Sequence, residues 1–162
     1  MSTSDPSARP HRADAACGEP PVDPRGVRFT AALTTVVLAL VLLSGSGWLL
    51  AVQAVVFALG AFAGLRFSPY SVLYRTLVAP RLGPPTERED AAPVRFSQTV
   101  GLVFAVVGTV GYLTGLTTIG LVATAFALAA AFLNAAFGFC LGCEMYALIA
   151  RMKNNNQQGA TA

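Results

Sequence analysis

Cys140-Leu141-Gly142-Cys143 is the one group in this chain whose residue types and spacing carry chemistry. Two cysteines three apart on a helical turn place their Cα atoms ~5 Å apart, within the reach of a disulfide. The same spacing offers two thiolates to a metal. Haem attachment would need histidine after Cys143, and Glu144 stands there instead. The plain alternative is packing, since cysteine is a common small residue in buried helices. The choice depends on which elements carry the pair and which compartment they face.

The chain has 162 residues, of which 54% are apolar and 12% charged, with a mean hydropathy of +0.59. Ordinary soluble domains carry about 25% charged residues. This composition argues against a soluble enzyme and against a disordered chain, and three cysteines are too few for a disulfide scaffold. No charge occurs from Phe29 to Leu65 or from Phe96 to Cys143. Each stretch is about twice the ~20 apolar residues that one span needs. Turns are signalled at Ser44-Gly45-Ser46-Gly47 and Tyr112-Leu113-Thr114-Gly115. The pattern predicts an all-α membrane protein with four transmembrane helices, over roughly 28–44, 48–66, 95–113 and 117–138. No acidic residue lies in any of these, which weighs against proton-coupled transport. No phosphate loop, nucleophile elbow or dinucleotide motif is present, so no cofactor is implied.

All 11 lysines and arginines lie before the first span, between the second and third, or after the fourth. This bias predicts a multi-pass protein of the plasma membrane with cytoplasmic N- and C-termini and external turns. The net charge of +3 is then a topology signal with no nucleic-acid partner behind it. The bilayer itself is the partner, and the arginines can touch anionic head groups. Residues 1–26, with His11 and Cys17, are expected to form a disordered cytoplasmic tail, and no cleavable signal is evident in them. Residues 153–162, rich in Asn and Gln, are expected to form a second tail.

The apolar part repeats itself. Val27-Arg28-Phe29 opens the first half and Val94-Arg95-Phe96 the second. Gly60-Ala61-Phe62-Ala63-Gly64 closes the first hairpin as Asn134-Ala135-Ala136-Phe137-Gly138 closes the second. A short amphipathic stretch follows each: Tyr70 to Arg75, then Tyr146 to Arg151. We read parallel-repeated helical hairpins over 27–66 and 95–138, short amphipathic interfacial helices after each, a cytoplasmic loop over 67–94 with an exposed linker from Pro80 to Pro93, and an interfacial helix over 139–152. Gly60 with Gly64, the glycines at 101, 108 and 111, and Gly138 with Gly142 offer small faces for close helix packing or for a homodimer surface.

On this reading the cysteine pair lies at the cytoplasmic face, at the C-terminal end of the fourth span. The compartment is reducing, which points to a cycling dithiol, a sulfur carrier or a metal ligand. A helix C-terminus disfavours a thiolate unless Gly142 breaks the helix before Cys143. Two supporting residues follow. Arg66 aligns with Cys140 across the repeat, where a cation would stabilise a thiolate; its plainer role is to anchor the second span. Asn134 lies six residues before Cys140, roughly 120° around a helix, and reads as an interhelical hydrogen bonder.

Val22-Asp23-Pro24-Arg25-Gly26-Val27-Arg28-Phe29, Phe67-Ser68-Pro69-Tyr70, Arg81-Leu82-Gly83-Pro84-Pro85 and above all Phe132 through Tyr146 resemble an actinobacterial membrane family catalogued as domain of unknown function 4395. The resemblance covers about residues 22–152. It implies an integral membrane protein with a Cys140/Cys143 pair, working in thiol or sulfur metabolism beside a thioredoxin-like or sulfurtransferase protein. It assigns no enzymatic activity. Three readings stand open: a thiol or sulfur relay through Cys140 and Cys143; a non-catalytic scaffold, small subunit or narrow solute pathway; and a metal site made by two copies of the pair in a symmetric dimer.

Overall fold

A computed structural model describes residues 21–83 and 89–159. The described residues are helical, apart from one antiparallel bridge between Val22 and Glu89. His11 and Cys17 lie outside them.

Helix α1 (Pro24–Ser44) begins where Asp23 accepts the Arg25 N–H at 2.9 Å and Pro24 presets the first turn. The first described segment is therefore ordered from before residue 27. Gly45, at φ 64°, ends α1, and Ser46 caps α2 (Gly47–Ala58) through the Leu49 N–H at 3.3 Å. Helix α2 runs on into a π-helical turn, Leu59–Ala63. After α5 (Ala91–Leu113), a turn through Gly115 at φ 82° leads to α6 (Thr117–Phe137). Helices α1, α5 and α6 are long and apolar enough to cross a membrane; Gly47–Ala63 is apolar but shorter.

Helix α1 packs on α6 and α2 on α5, with α5 and α6 closely paired. Leu38, Val41, Leu50, Phe57 and Ala105 form the core. Glycines set the closest approaches. A Cβ on Gly111 would stand 2.6 Å from the Gly120 nitrogen, and one on Gly108 would stand 2.7 Å from Leu50. Gly60 faces Gln98 in the same way. Gly64 is buried and ends the π turn at φ 100°. The outward residues are apolar, with Leu43 86% and Trp48 75% exposed.

The stretch after α2, read from sequence as a cytoplasmic loop with a short amphipathic helix over 70–75, is helical through most of its length. It holds a 3₁₀ turn (Leu65–Phe67), α3 (Pro69–Leu73), a π turn (Tyr74–Val78) and α4 (Ala79–Leu82). Two tyrosines pin it. Tyr70 donates to Gln53 Oε1 at 2.7 Å, and Tyr74, 4% exposed, donates to Asp23 Oδ2 at 2.8 Å and packs on Phe29. Burial, the hydrogen bond to Asp23 and that carboxylate's charge raise the Tyr74 phenol above its ordinary 10.0. The folded state thus holds this proton more tightly, and the stabilisation is complete below about pH 10 and lost as pH climbs through the raised value. Tyr74→Phe is expected to lower stability by about 1–2 kcal/mol at neutral pH. The gap to the unsubstituted chain should narrow in strong alkali, as thermal unfolding in detergent across pH would show.

Helix α7 (Leu141–Gly159) starts two residues later than the interfacial helix read from sequence and runs past Met152 into the stretch expected to be a tail. Met152, Lys153 and the glutamines are adequate helix formers, and nothing breaks the helix before Gly159.

Candidate functional site

The cysteine pair sits at the opposite kind of helix end from the one expected. Gly138, not Gly142, breaks the chain: it takes φ 69° and its N–H returns to the Asn134 carbonyl at 3.0 Å, closing α6. Phe139 and Cys140 form the link, and α7 begins at Leu141. Cys140 therefore caps the N-terminus of α7. Its Sγ accepts the Cys143 N–H at 3.3 Å, and its carbonyl accepts the Glu144 N–H at 3.0 Å. A helix N-terminus favours negative charge, so the field that was expected to oppose a thiolate supports one at Cys140. Cys140 and Cys143 are joined as a disulfide, with Cα atoms 5.2 Å apart.

Two contacts hold this turn in place. A Cβ on Gly142 would stand 2.5 Å from Ser97 Cβ and 2.7 Å from Ser97 Cα, so α7 lies directly on the α5 backbone. One turn further on, Tyr146 packs on Phe96, ring centroids 5.8 Å apart. Phe29 and Tyr74 make the matching pair in the first half at 5.7 Å. The tyrosine that answers Tyr146 is thus Tyr74, where the sequence alignment had paired Tyr70.

Cys140 separates two cavities. The larger, about 450 Å³, lies between α1, α5 and α6 and includes Phe104 and the outward-facing Phe126 in its lining. Arg66, Arg75, Thr30 and Ser68 also line it. The Thr30 and Ser68 hydroxyls are buried without a hydrogen-bond partner. The smaller, about 300 Å³, is a polar depression where both cysteines meet Arg28, Glu89, Asp90 and Glu144. Asn134 lines both. The 120° that separated Asn134 from Cys140 on a continuous helix does not apply, because the helix breaks between them.

Arg66 shares the larger cavity with Cys140, and its guanidinium stacks 5.1 Å over the Phe67 ring. The arginine beside both cysteines is Arg28. It lies along Gly138 and donates to the Ala135 carbonyl at 3.5 Å. Arg95 does the same in the other half, with Nε and Nη2 donating to the Ala61 carbonyl at 3.1 and 2.7 Å. The repeated Val-Arg-Phe was the available signal for Arg28. Thr30 and Ser68 had none, because their burial depends on packing. Among the described residues, no three His, Cys, Asp or Glu side chains gather as a metal site.

Residues 22–151 match a family model described as Domain of unknown function (DUF4395). The chain belongs to this family. Neither the curated proteins nor the solved structures hold a match to it. The family segment begins at Val22 of the bridge and ends inside α7, so it contains both cavities and the cysteine pair.

Proposed function

We propose that this DUF4395 member is a plasma-membrane protein with four spans in two parallel-repeated hairpins and both termini cytoplasmic. We further propose that Cys140 and Cys143 relay disulfide or sulfur to a soluble thioredoxin-like or sulfurtransferase partner. One observation carries the relay: Cys140 caps a helix N-terminus, paired with Cys143, and both line a polar depression. A thiolate of the reduced partner attacks the Cys140 sulfur of the 140–143 disulfide and releases Cys143 as a thiolate. The partner's second thiolate then displaces Cys140, leaving the 140–143 dithiol and an oxidised partner; run in reverse, Cys140 is the attacking thiolate. The four-span reading draws support from the apolar outer surface and from the reciprocal bonds of Arg28 to Ala135 and Arg95 to Ala61, positions that align across the repeat. Gly47–Ala63 would cross at the short end of the usual range.

The test uses the full chain with Cys17→Ser, reduced, in sealed membranes. A membrane-impermeant maleimide applied from the cytoplasmic side should label Cys140. The additional Cys143→Ser change should trap a mixed disulfide when Cys140 displaces thionitrobenzoate from a thioredoxin-like protein whose single attacking cysteine carries it as a mixed disulfide. Labelling only from outside, or only after detergent, would sink the reading. One contact favours a second reading, a structural staple: Cys143 packs on the Leu65, Ala91 and Val94 cluster. A double Cys→Ser chain with full cellular function would select it.

A further inference from the structure

The larger cavity has features that the relay reading does not use. It meets the polar depression at Cys140, Val27, Val94 and Asn134. Much of its lining is apolar, from the buried Phe57 through Phe104 and Ala130 to the outward-facing Phe126. Its volume of about 450 Å³ falls in the range of sites for small organic ligands, roughly 300–1,000 Å³. Thr30 Oγ1 and Ser68 Oγ are more than nine-tenths buried, line the cavity and have no partner. Leaving a buried hydroxyl unpaired is costly, so two in one cavity mark places for a ligand's polar atoms.

The chemistry of the walls narrows the ligand. Asp23 is the one carboxylate in the lining, and it already accepts from Tyr74 and from the Arg25 N–H. Arg66 and Arg75 outweigh its single negative charge, so a cationic ligand is disfavoured. Arg66 and Arg75 favour an oxygen that carries or develops negative charge. A hydroxyl both donates and accepts, so Thr30 and Ser68 can bond a carbonyl oxygen and also the hydroxyl that replaces it. A ring with two carbonyl oxygens and an apolar body meets all of these conditions.

Building on the relay reading, we propose that this cavity binds a lipid-soluble quinone, which takes the electron pair from the Cys140/Cys143 dithiol. In the step, both S–H bonds break, the S–S bond forms, and two electrons and two protons pass to the quinone. Its two carbonyls become the hydroxyls of the hydroquinone. Cys140 then faces a soluble thiol partner on one side and the bilayer-borne acceptor on the other.

Duroquinone is the probe, because its ring has no unsubstituted carbon for thiol addition. The full Cys17→Ser chain is reduced, freed of reductant, and mixed with duroquinone without oxygen. Quinone absorbance and free thiols are followed together. One quinone should be consumed for each two thiols, at least tenfold faster than in a chain also lacking Cys140 and Cys143. Thr30→Val with Ser68→Ala should slow the reaction tenfold or more. Ala130→Phe, which fills the cavity without touching either hydroxyl, should do the same. Thiol loss insensitive to both changes would place oxidation at the open face and overturn the proposal. So would a cavity that binds a fluorescent fatty acid while duroquinone neither competes nor consumes thiols. Exchange with a thioredoxin-like protein but none with duroquinone would remove the quinone and leave the relay. Exchange with neither would remove both.

Discussion

With the disulfide reduced and Cys17 replaced, Cys140 is expected to react with iodoacetamide at pH 6.5 about five times faster than Cys143. The comparison is between Cys143→Ser and Cys140→Ser chains. Only Cys140 caps the helix, with the Cys143 N–H aimed at its sulfur at 3.3 Å. Cys143 sits a turn inside α7, against the apolar Leu65, Ala91 and Val94 cluster, which favours the neutral thiol. A helix N-terminus raises the thiolate fraction at this pH by about one to two orders of magnitude, while the stabilised thiolate is a weaker nucleophile with a Brønsted slope of about 0.4–0.5. The population gain exceeds the nucleophilicity loss and leaves a net factor of about five. The ratio should fall as pH rises, and below one once both thiols are ionised, because the stabilised thiolate is the weaker nucleophile. Equal rates at pH 6.5 would show that the cap has no electrostatic effect. A faster Cys143 would reverse the assignment of the attacking sulfur.

Gly142→Val is expected to lower stability by about 2–3 kcal/mol and to loosen α7 from α5. Valine gains a few tenths of a kcal/mol over glycine in helix propensity, so the intrinsic term favours the variant slightly. Overpacking wins because the colliding atoms are Ser97 Cβ and Ser97 Cα, at 2.5 and 2.7 Å, and a backbone atom cannot rotate away. Ser97→Gly removes the nearer atom and should recover part of the loss, not all of it. Thermal unfolding of the single and double variants in detergent gives the coupling. The same displacement should slow closure of the 140–143 disulfide by oxidised glutathione. If stability is unchanged, α7 is not seated on α5 as described.

Much of the architecture was legible in the residue pattern. The charge-free stretches correspond to helices, and the glycine-bearing turns lie at Gly45 and Gly115. The cysteine pair was legible as a pair and misread as to helix end. Gly138 and Gly142 are both plausible breakers by type. What selects Gly138 is its left-handed turn and the contact of Gly142 with Ser97, which is distant in sequence. The amphipathic stretch over 70–75 was legible, but what pins the 65–82 segment was not, for a similar reason. Tyr74 is half of a buried hydrogen bond whose other half, Asp23, lies 51 residues earlier, and no local pattern announces it. Arg66 was chosen from alignment of the halves alone. The arginine that reaches the cysteine corner comes from the start of the opposite half, as Arg28.

The crossing of those arginines bears on how the chain is made. The Ala61 carbonyl emerges from the ribosome well before Arg95, the residue that satisfies it. The first half is therefore left with an open end until the second has begun. Ala135 meets the opposite situation, since Arg28 has been waiting since the start of synthesis. Two separate copies of one ancestral half could make the same bonds by exchanging ends, in the manner of a domain-swapped pair. Joining them in one chain removes the search for a partner.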